Sequence, residues 1–437
     1  MDDVIIIGAG AAGLSAAARL TREGLRVTML EARERTGGRI HTLHDPGFPN
    51  PVELGAEFVH GKPDEIWDIV NARGIAAVEV PQDHLMAPRS RIDARRDMMD
   101  EIESATERLR RERDREQSIA SVLRTHRFDR TLKRVGKPLE AYVTNFHAAD
   151  LSRFSIAALL QSAEAAERVE GDRGFRLVRG YDQVVSHLEE SIDQRKFSLH
   201  LNAVVKRVAW SRGRVAIDTQ RGKQFRARCG LITLPLGVLQ TGSVAFEPAL
   251  PKKQEAVARM AMGHVLHIAM HFKSRFWEKA SPEKTGASRE KLERLSFLHA
   301  IEIPVPVWWS SRPLIAPVLT GWIGGPAAQK MSALGDKRII ALAAESLATL
   351  FHLAPRKILE QICGWHFHNW SADPFSRGAY SYTTAGGMDA ARKLAEPVEK
   401  TLFFAGEATE LTGHNATVHG AIMTGHRAAK QIEKALN

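Results

Sequence analysis

The first 31 residues contain the pattern that most limits how this chain can fold. A β-branched run, Val4 to Ile7, is followed by GAGAAG, an alanine-rich stretch, Gly24, and the run LRVTML that ends just before Glu31. This order predicts a strand, a tight turn, a helix and a second strand. It is the order of a βαβ unit at the start of a doubly wound sheet.

The glycine spacing in GAGAAG indicates a turn that binds a dinucleotide. Gly8 permits the turn, Gly10 lets a pyrophosphate approach the backbone, and Gly13 lets the helix pack close to the strand. The helix N-terminus attracts the phosphates. Glu31 stands where a carboxylate binds the hydroxyls of an adenosine ribose. The strand, helix, strand and acid together favour this interpretation over a glycine-rich turn without a ligand.

A second pair of glycines bears on which dinucleotide binds. Gly37, Gly38 and Arg39 come just beyond the second predicted strand. The glycines permit another close backbone approach there, and the guanidinium is suited to a pyrophosphate or a flavin. A simple nicotinamide site has no need for this second contact, so the pair favours a flavin.

Composition narrows the remaining classes of protein. The chain has 437 residues, of which 44% are hydrophobic, and this is enough to bury cores in two domains. The net charge of +10 comes from basic residues mixed with acids, as between Arg95 and Arg134, so we expect no nucleic-acid partner. With only Cys229 and Cys363 present, we expect no disulfide framework and no metal site.

Targeting signals are not evident in the sequence. No apolar run reaches the roughly 18 residues of a transmembrane helix. The first strand begins almost at once, which leaves no room for a signal peptide. We therefore expect a cytoplasmic protein with no membrane partner. The oligomeric state stays open, a homo-oligomer included.

Beyond these motifs, the chain resembles the flavin-dependent amine oxidases, which include monoamine oxidases, polyamine oxidases and lysine-specific histone demethylases. Like family members, it has GGR and then ELGAEFVHG after the dinucleotide motif. Six further blocks follow in the family's order: RGYDQVV, LHLNAVVKRV, LITLPLGVL, PVWWSSRPLIAPVLTGWIGGPAA, NWSADPFSRGAYSY, and FAGEAT with TVHGAIMTGHRAA. The resemblance therefore covers nearly the whole chain.

The resemblance implies an α/β fold made of two domains. One is a Rossmann-like, glutathione-reductase-like FAD-binding domain, and the other is a discontinuous α+β substrate-binding domain. We expect the FAD-binding domain to comprise residues 1–80, 176–247 and 388–437. Residues 81–175 and 248–387 then form the substrate-binding domain.

One stretch of the second domain is expected to lie outside its core. KASPEKTGASREKLER, from Lys279 to Arg294, is polar and contains both Pro and Gly. Such a composition is typical of an exposed loop. We therefore predict a surface insertion at this place.

The resemblance also assigns residues to the cofactor. It implies that the backbone at Val205 contacts the adenine and that Glu407 binds the ribityl or phosphate region. A helix beginning at Thr417 and Val418 would point its N-terminus at the isoalloxazine, which favours an anionic reduced flavin. The residues assigned to the cofactor are Gly8, Gly10, Gly13, Glu31, Gly37, Gly38, Arg39, Val205, Trp370, Gly406, Glu407, Thr417 and Val418.

Two candidate active-site residues match family positions, each with a structural alternative. Tyr380 corresponds to an aromatic wall that orients the amine, although it or nearby Tyr382 would also suit a core. His60, in FVHG, stands where polyamine oxidases place a polar residue; it would hold or relay an amine proton, or else cap a turn. The second aromatic wall of the family has no match before TVHGA.

His267 is the third candidate and the clearest departure from the family. Amine oxidases usually have a lysine here, hydrogen-bonded through water to flavin N5 and thought to assist reoxidation by oxygen. A protonated His267 would supply that positive charge. Otherwise the enzyme uses another electron acceptor, or the histidine only packs beside the cofactor. Lys273 is no substitute, because six residues of strand span about 20 Å.

The implied reaction is hydride transfer from the carbon next to an amine onto flavin N5. The imine is then hydrolysed to an aldehyde or ketone, and O2 or another acceptor reoxidises the flavin. FAD is expected to be non-covalent, because the covalently linked members have a cysteine where this chain has Ala379. Two alternatives stay open: a flavoprotein acting on a non-amine substrate, by oxidation or desaturation, and a catalytically silent flavin-binding protein.

Overall fold

The computed structural model describes residues 2–113 and 115–437. The strands in these residues are β1 (Asp2–Ile7), β2 (Val27–Leu30), β3 (Thr42–Leu43), β4 (Val52–Glu53), β5 (Val59–His60), β6 (Ala77–Val80), β7 (His84–Met86), β8 (Asp93–Asp97), β9 (Gly174–Leu177), β10 (Phe197–His200), β11 (Val205–Ser211), β12 (Arg214–Thr219), β13 (Gln224–Ile232), β14 (Ala245–Glu247), β15 (Met260–Gly263), β16 (Val265–Phe272), β17 (Phe297–His299), β18 (Val307–Ser310), β19 (Val318–Gly324), β20 (Ile362–Asn369), β21 (Tyr380–Thr383) and β22 (Leu402–Phe404).

The same residues also form α-helices. They are α1 (Ala11–Arg22), α2 (Asp64–Arg73), α3 (Met98–Leu109), α4 (Ile119–Thr125), α5 (Arg130–Asn145), α6 (Ile156–Glu167), α7 (Asp182–Glu190), α8 (Leu236–Gln240), α9 (Pro251–Ala258), α10 (Pro282–Thr285), α11 (Arg289–Glu293), α12 (Gly325–Met331), α13 (Asp336–Phe351), α14 (Pro355–Gln361), α15 (Ala390–Ala395) and α16 (Val418–Leu436).

A mixed eight-stranded sheet contains the N-terminal βαβ unit. Its strand order is β10-β2-β1-β13-β12-β11-β14, with β22 also paired to β13. β10, β2, β1, β13 and β22 run parallel, whereas β12 pairs antiparallel with β11 and β13. Most residues of β1 and β2 are apolar because both faces of a parallel sheet are covered. The predicted α/β fold and its βαβ start are confirmed.

The turn between β1 and α1 requires its glycines. Gly8 has a φ of 110°, which lies in the region that favours glycine. A Cβ on Gly13 would lie 2.1 Å from the carbonyl oxygen of Gly8. The first turn of α1 therefore packs directly against the end of β1.

The C-terminal helix α16 packs against α1. A Cβ on Gly425 would lie 2.1 Å from Oγ of Ser15, so the two helices are in close contact there. Nε of Arg19 lies 2.7 Å from Oε1 of Glu433 near their far ends. The last segment of the chain thus returns beside the first βαβ unit.

A seven-stranded sheet forms the second layer of strands, in the order β20-β16-β19-β18-β17-β7-β8. Its pairs are antiparallel, except that β7 and β17 run parallel. Helix α13 covers one face, where Ile339 and Leu347 pack with Leu266 and Met270 of β16. The opposite face is free to line a cavity.

The two sheets draw on different parts of the chain. Every strand of the eight-stranded sheet lies within residues 1–80, 176–247 or 388–437, and every strand of the seven-stranded sheet within 81–175 or 248–387. Strand β9 spans the expected domain boundary between residues 175 and 176. It pairs with β5 and β6. The division into two domains stays a prediction, and this separation of the sheets supports it.

The polar stretch from Lys279 to Arg294 is not an exposed insertion. It forms α10 and α11, in which the side chains of Thr285 and Leu292 are buried. Ala287 and Leu292 belong to the core of the seven-stranded sheet. The prediction was wrong because the charged residues of these short helices cover only their outer side.

Helix length and hydropathy give no single membrane span. Within the described residues, no one helix is both long and apolar enough to cross a bilayer. The helices α13 and α14 pass that test only as a pair, which is bent by 114°. Much of α13 is buried against the seven-stranded sheet.

Candidate active site

A cavity of about 1950 Å³ runs between the two sheets. It exceeds the roughly 300–1,000 Å³ of ordinary small-molecule pockets, as a dinucleotide and a substrate together require. Of the residues assigned to the site, those that line it are Gly8, Gly10, Glu31, Gly37, Gly38, Arg39, His60, Val205, His267, Trp370, Tyr380, Gly406, Glu407, Thr417 and Val418. Gly13 does not line it, because Gly13 forms the contact between α1 and β1.

The two glycine turns contact each other at one end of the cavity. The N–H of Gly37 donates to the carbonyl of Ala9 at 2.8 Å. A Cβ on Gly38 would lie 3.4 Å from Cα of Gly10, whereas a Cβ on Gly10 itself would meet nothing within 4 Å. The backbone at Gly10 is thus open to a ligand in the cavity, as the predicted approach of a pyrophosphate requires.

Glu31 is buried at the end of β2 with both oxygens facing backbone donors. Oε2 accepts a hydrogen bond from the N–H of Ala9 at 2.8 Å, and Oε1 accepts one from the N–H of Arg33 at 2.9 Å. Each carboxylate oxygen keeps a second lone pair for a hydroxyl donor. The carboxylate is therefore oriented and able to bind ribose hydroxyls.

Arg39 and Glu407 form an ion pair that the sequence did not predict. Nη1 of Arg39 lies 2.8 Å from Oε1 of Glu407 and also donates to the carbonyl of Ala379 at 2.7 Å. Oε2 of Glu407 accepts from Oγ of Ser381 at 2.7 Å and from the N–H of Ala416 at 3.1 Å. Glu407 thus joins several loops of the cavity wall, besides lining the cavity itself.

The N-terminus of α16 faces the same cavity. Oγ1 of Thr417 accepts a hydrogen bond from the N–H of Gly420 at 3.0 Å and so caps the helix. The unpaired N–H groups of a first helical turn carry partial positive charge. Such N–H groups are suited to an electron-rich or anionic group.

Aromatic side chains form another part of the cavity wall. Oη of Tyr380 donates to the carbonyl of Phe146 at 2.6 Å. Tyr142 and Phe146 stack with ring centroids 4.9 Å apart, and both line the cavity. Tyr382 instead packs in a core against Phe154. Tyr142 and Phe146 were missed in the sequence, although their spacing of four residues places them on one helix face.

His60 lies beside these rings, with its centroid 5.6 Å from that of Phe146. Burial lowers the pKa of His60 to about 4. The imidazole is therefore neutral at neutral pH. A neutral His60 offers a hydrogen bond to an amine, not a positive charge.

His267 is buried on β16 between two indole rings. Its ring centroid lies 5.5 Å from those of Trp309 and Trp322. Nε2 of His267 lies 3.0 Å from Oε2 of Glu57, a residue that the sequence did not single out. The signal for Glu57 was an acid within the apolar segment ELGAEFVHG.

Glu57 is held by more than one partner. Its Oε1 accepts a hydrogen bond from Nε1 of Trp309 at 3.0 Å and forms an ion pair with Arg176. Burial alone would raise the pKa of Glu57, but Arg176 and His267 outweigh burial and lower it to about 2. The carboxylate is therefore ionised at neutral pH.

The charges along the cavity differ between its two ends. Basic side chains near the glycine turns and β11 suit phosphates; they are Arg33, Arg39, Lys206 and Arg377. The end formed by β6, α3 and the loop before β9 contains carboxylates together with Arg110 and Arg173. The acids are Glu79, Asp97, Asp100, Glu103, Glu107, Glu167 and Asp172.

The described residues hold no group of three or more His, Cys, Asp or Glu side chains able to bind a metal ion.

The family of this chain is given by its match to a model of a known protein family. Residues 11–433 match the model described as flavin containing amine oxidoreductase. The chain belongs to this family. The flavin containing amine oxidoreductases bind a flavin and act on amines, so this chain is a flavin-dependent amine oxidoreductase that requires an electron acceptor. The resemblance found in the sequence is confirmed.

Curated relatives of the family span the whole chain. Polyamine oxidase 4 of Oryza sativa subsp. japonica is 30% identical, over 99% of this chain and 89% of its own length. Polyamine oxidase 2 of Arabidopsis thaliana is 31% identical, over 98% and 87%. Lysine-specific histone demethylase 2 of Homo sapiens is 29% identical over 98% of this chain, which covers 53% of that protein.

Solved structures of two oxidases have the same fold. Wild-type putrescine oxidase bound to putrescine superposes with a TM-score of 0.79, at 20% identity and over 99% of both chains. Cyclohexylamine oxidase from Brevibacterium oxydans gives a TM-score of 0.80, at 20% identity and over 100% of this chain and 99% of its own. At this identity the likeness shows the fold alone.

Proposed function

We propose that this amine oxidoreductase binds FAD non-covalently and oxidises an aliphatic amine with more than one positive charge. The observation that carries the proposal is the continuous cavity, which joins the glycine turns at one end to an acid-lined region at the other. Basic side chains near the glycines suit a pyrophosphate, and the acids suit a cationic substrate.

FAD is favoured over a smaller flavin by the residues at the adenine end. Glu31 offers two oriented carboxylate oxygens to a ribose, and the open backbone at Gly10 suits a pyrophosphate. Val205, at the start of β11, lines the same cavity, as a contact with an adenine requires. A flavin mononucleotide has no adenosine for these groups to bind.

Non-covalent binding is supported by the positions of the cysteines. Cys229 is buried within β13 and Cys363 is exposed on β20. Neither of these two described residues lines the cavity. Ala379, at the position where the resemblance places a linking cysteine, does line it.

The cavity wall would hold the amine by its aromatic groups and His60. Tyr380, Tyr142 and Phe146 present ring surfaces that attract a cationic or partly charged amine. The neutral His60 accepts or donates one hydrogen bond at a ring nitrogen. A flavin held by the residues described above would supply the hydride acceptor for the carbon next to the unprotonated amine. These side chains therefore position the substrate and exclude water.

The experiment that tests this proposal identifies the cofactor and the preferred charge of the substrate. Heating the purified protein until it precipitates should release free FAD into the supernatant. Pigment that stays with the precipitate would contradict non-covalent binding.

The role of the acidic side chains is tested by a double variant. Asp100→Asn combined with Glu103→Gln should lower affinity for a linear diamine roughly tenfold by removing two charges near the substrate. Unchanged affinity would refute the role of the acid-lined end.

A further inference from the structure

Two buried histidines line the cavity on the neighbouring strands β7 and β17. His84 and His299 are 6% and 8% exposed. The ring of His84 stacks on Phe297 with centroids 4.4 Å apart and planes inclined by 2°. Nδ1 of His84 lies 3.0 Å from Nε2 of His299. Neither the assigned cofactor site nor the proposed amine contacts use this pair.

The orientation of Gln82 fixes the protons of His84. Nε2 of Gln82 donates to the carbonyl of Val80 at 2.9 Å, so Oε1 of Gln82 is the atom that faces His84. That Oε1 lies 3.1 Å from Nε2 of His84. An amide oxygen only accepts hydrogen bonds, so Nε2 of His84 carries the proton.

The tautomer of His299 follows from that of His84. Burial lowers the pKa of His84 to about 4, so its ring is neutral and Nδ1 carries a lone pair. Nε2 of His299 must therefore donate to it. Burial and the neighbouring His84 hold the pKa of His299 well below its usual value, so His299 is neutral as well. Its Nδ1 is left unprotonated.

This Nδ1 of His299 has no hydrogen-bond partner among the described residues, although it is buried. A buried acceptor without a partner is costly, and native proteins usually satisfy it. The adjoining cavity lining is largely apolar, from Phe297, Val307 and Trp309. A ligand in the cavity that carries an N–H group would satisfy the nitrogen while its hydrocarbon contacts these rings.

We propose that His299 is a substrate-binding residue whose Nδ1 accepts a hydrogen bond from an N–H group remote from the reacting amine. His84 is a positioning residue that fixes the tautomer of His299. The subsite selects linear diamines or longer polyamines over monoamines of equal chain length. This inference rests on the proposed function and adds the residue that distinguishes these substrates.

The test compares a linear diamine with the monoamine of the same chain length, using the flavin-loaded enzyme. His299→Phe removes the acceptor, and we expect it to lower the diamine-to-monoamine ratio of kcat/KM about tenfold, the effect of one hydrogen bond to a charged group. His299→Asn keeps an acceptor near the position of Nδ1 and should restore most of the ratio. His187→Phe, on α7, is the control. An unchanged ratio in His299→Phe would overturn the proposal.

Two further measurements separate this proposal from the proposed function. If no amine reduces the wild-type flavin, the proposed function fails, and calorimetry of diamine binding still tests the subsite. Equal diamine affinity of wild type and His299→Phe would then refute the subsite at His299. Nitrogen NMR of labelled histidines, assigned by the signals lost in His299→Asn, should show His299 protonated at Nε2 only. Protonation at Nδ1 would also overturn the proposal.

Discussion

Nε2 of His267 lies 3.0 Å from Oε2 of Glu57, and the two side chains are only 2% and 8% exposed. The residues stand 210 positions apart, on β16 and in the segment before β5. Arg176 and Trp309 contact the other oxygen of the same carboxylate. The pair therefore connects the seven-stranded sheet to the segment that follows the glycine turns.

Removing the charge of Glu57 is expected to destabilise the protein. Glu57→Gln keeps the shape but leaves Arg176 buried without its counter-ion, and we expect a loss of about 3–5 kcal/mol in the free energy of unfolding. Denaturant unfolding measures it. Glu79→Gln is the control, because its pair with Arg173 is more exposed and should contribute about 1 kcal/mol or less. Equal losses in the two variants would contradict the account.

The free energy of unfolding should depend on pH in the acid range because Glu57 is ionised in the folded protein. Its pKa is lowered from 4.5 to about 2 in the folded protein, so its stabilising contribution is present above 4.5 and lost as the pH falls towards 2. The difference in unfolding free energy between wild type and Glu57→Gln should therefore shrink over this range. A difference that is constant from pH 5 to pH 2 would show that Glu57 is not held ionised.

The contribution of Glu53 to the free energy of unfolding should change with pH in the opposite direction to that of Glu57. Burial raises the pKa of Glu53 to about 8, although Thr42 and the N–H of Tyr181 donate to its oxygens. The folded protein then keeps a proton that the unfolded chain loses above its ordinary pKa of 4.5. Relative to Glu53→Gln, wild type should lose about 1.4 kcal/mol per pH unit between 4.5 and 8. Parallel stability curves for the two proteins would refute this.

The glycine turn of the site was predictable from the sequence, because the conformational requirements of such a turn concern only a few neighbouring residues. The positive φ of Gly8 and the contact of Gly13 follow from the turn that any such βαβ unit needs. The approach of Glu57 to His267 depends instead on how β16 packs against a distant segment, which no spacing encodes. The ion pair of Arg39 with Glu407 was missed for the same reason, since both were assigned separately to the cofactor.

Loss of the Glu31 carboxylate should weaken FAD binding. We expect Glu31→Ala to raise the Kd for FAD about 10- to 100-fold, since it removes oxygens that orient the turn and bind the ribose. The ratio of flavin to protein after dialysis measures retention. Glu34→Ala, three residues away at an exposed position, is the matched control. Equal flavin content in both variants would discredit the ribose role.

The part that His267 takes in reoxidation can be measured separately from amine oxidation. We predict that His267→Gln slows the reaction of dithionite-reduced enzyme with oxygen roughly tenfold or more, because it removes the group expected to supply positive charge. His271→Gln, on the same strand but outside the cavity lining, should react like wild type. An unchanged rate in His267→Gln would mean that His267 only packs beside the cofactor.

The central claim is that the cavity oxidises an amine with a bound flavin, and anaerobic stopped-flow absorbance tests it most directly. The purified yellow protein is mixed with a panel of monoamines, linear diamines, polyamines and amino acids, and air is then admitted. We predict bleaching of the flavin band near ~450 nm by diamines or polyamines, and its return in air. A flavin that stays oxidised with every amine but is reduced by dithionite would contradict the account.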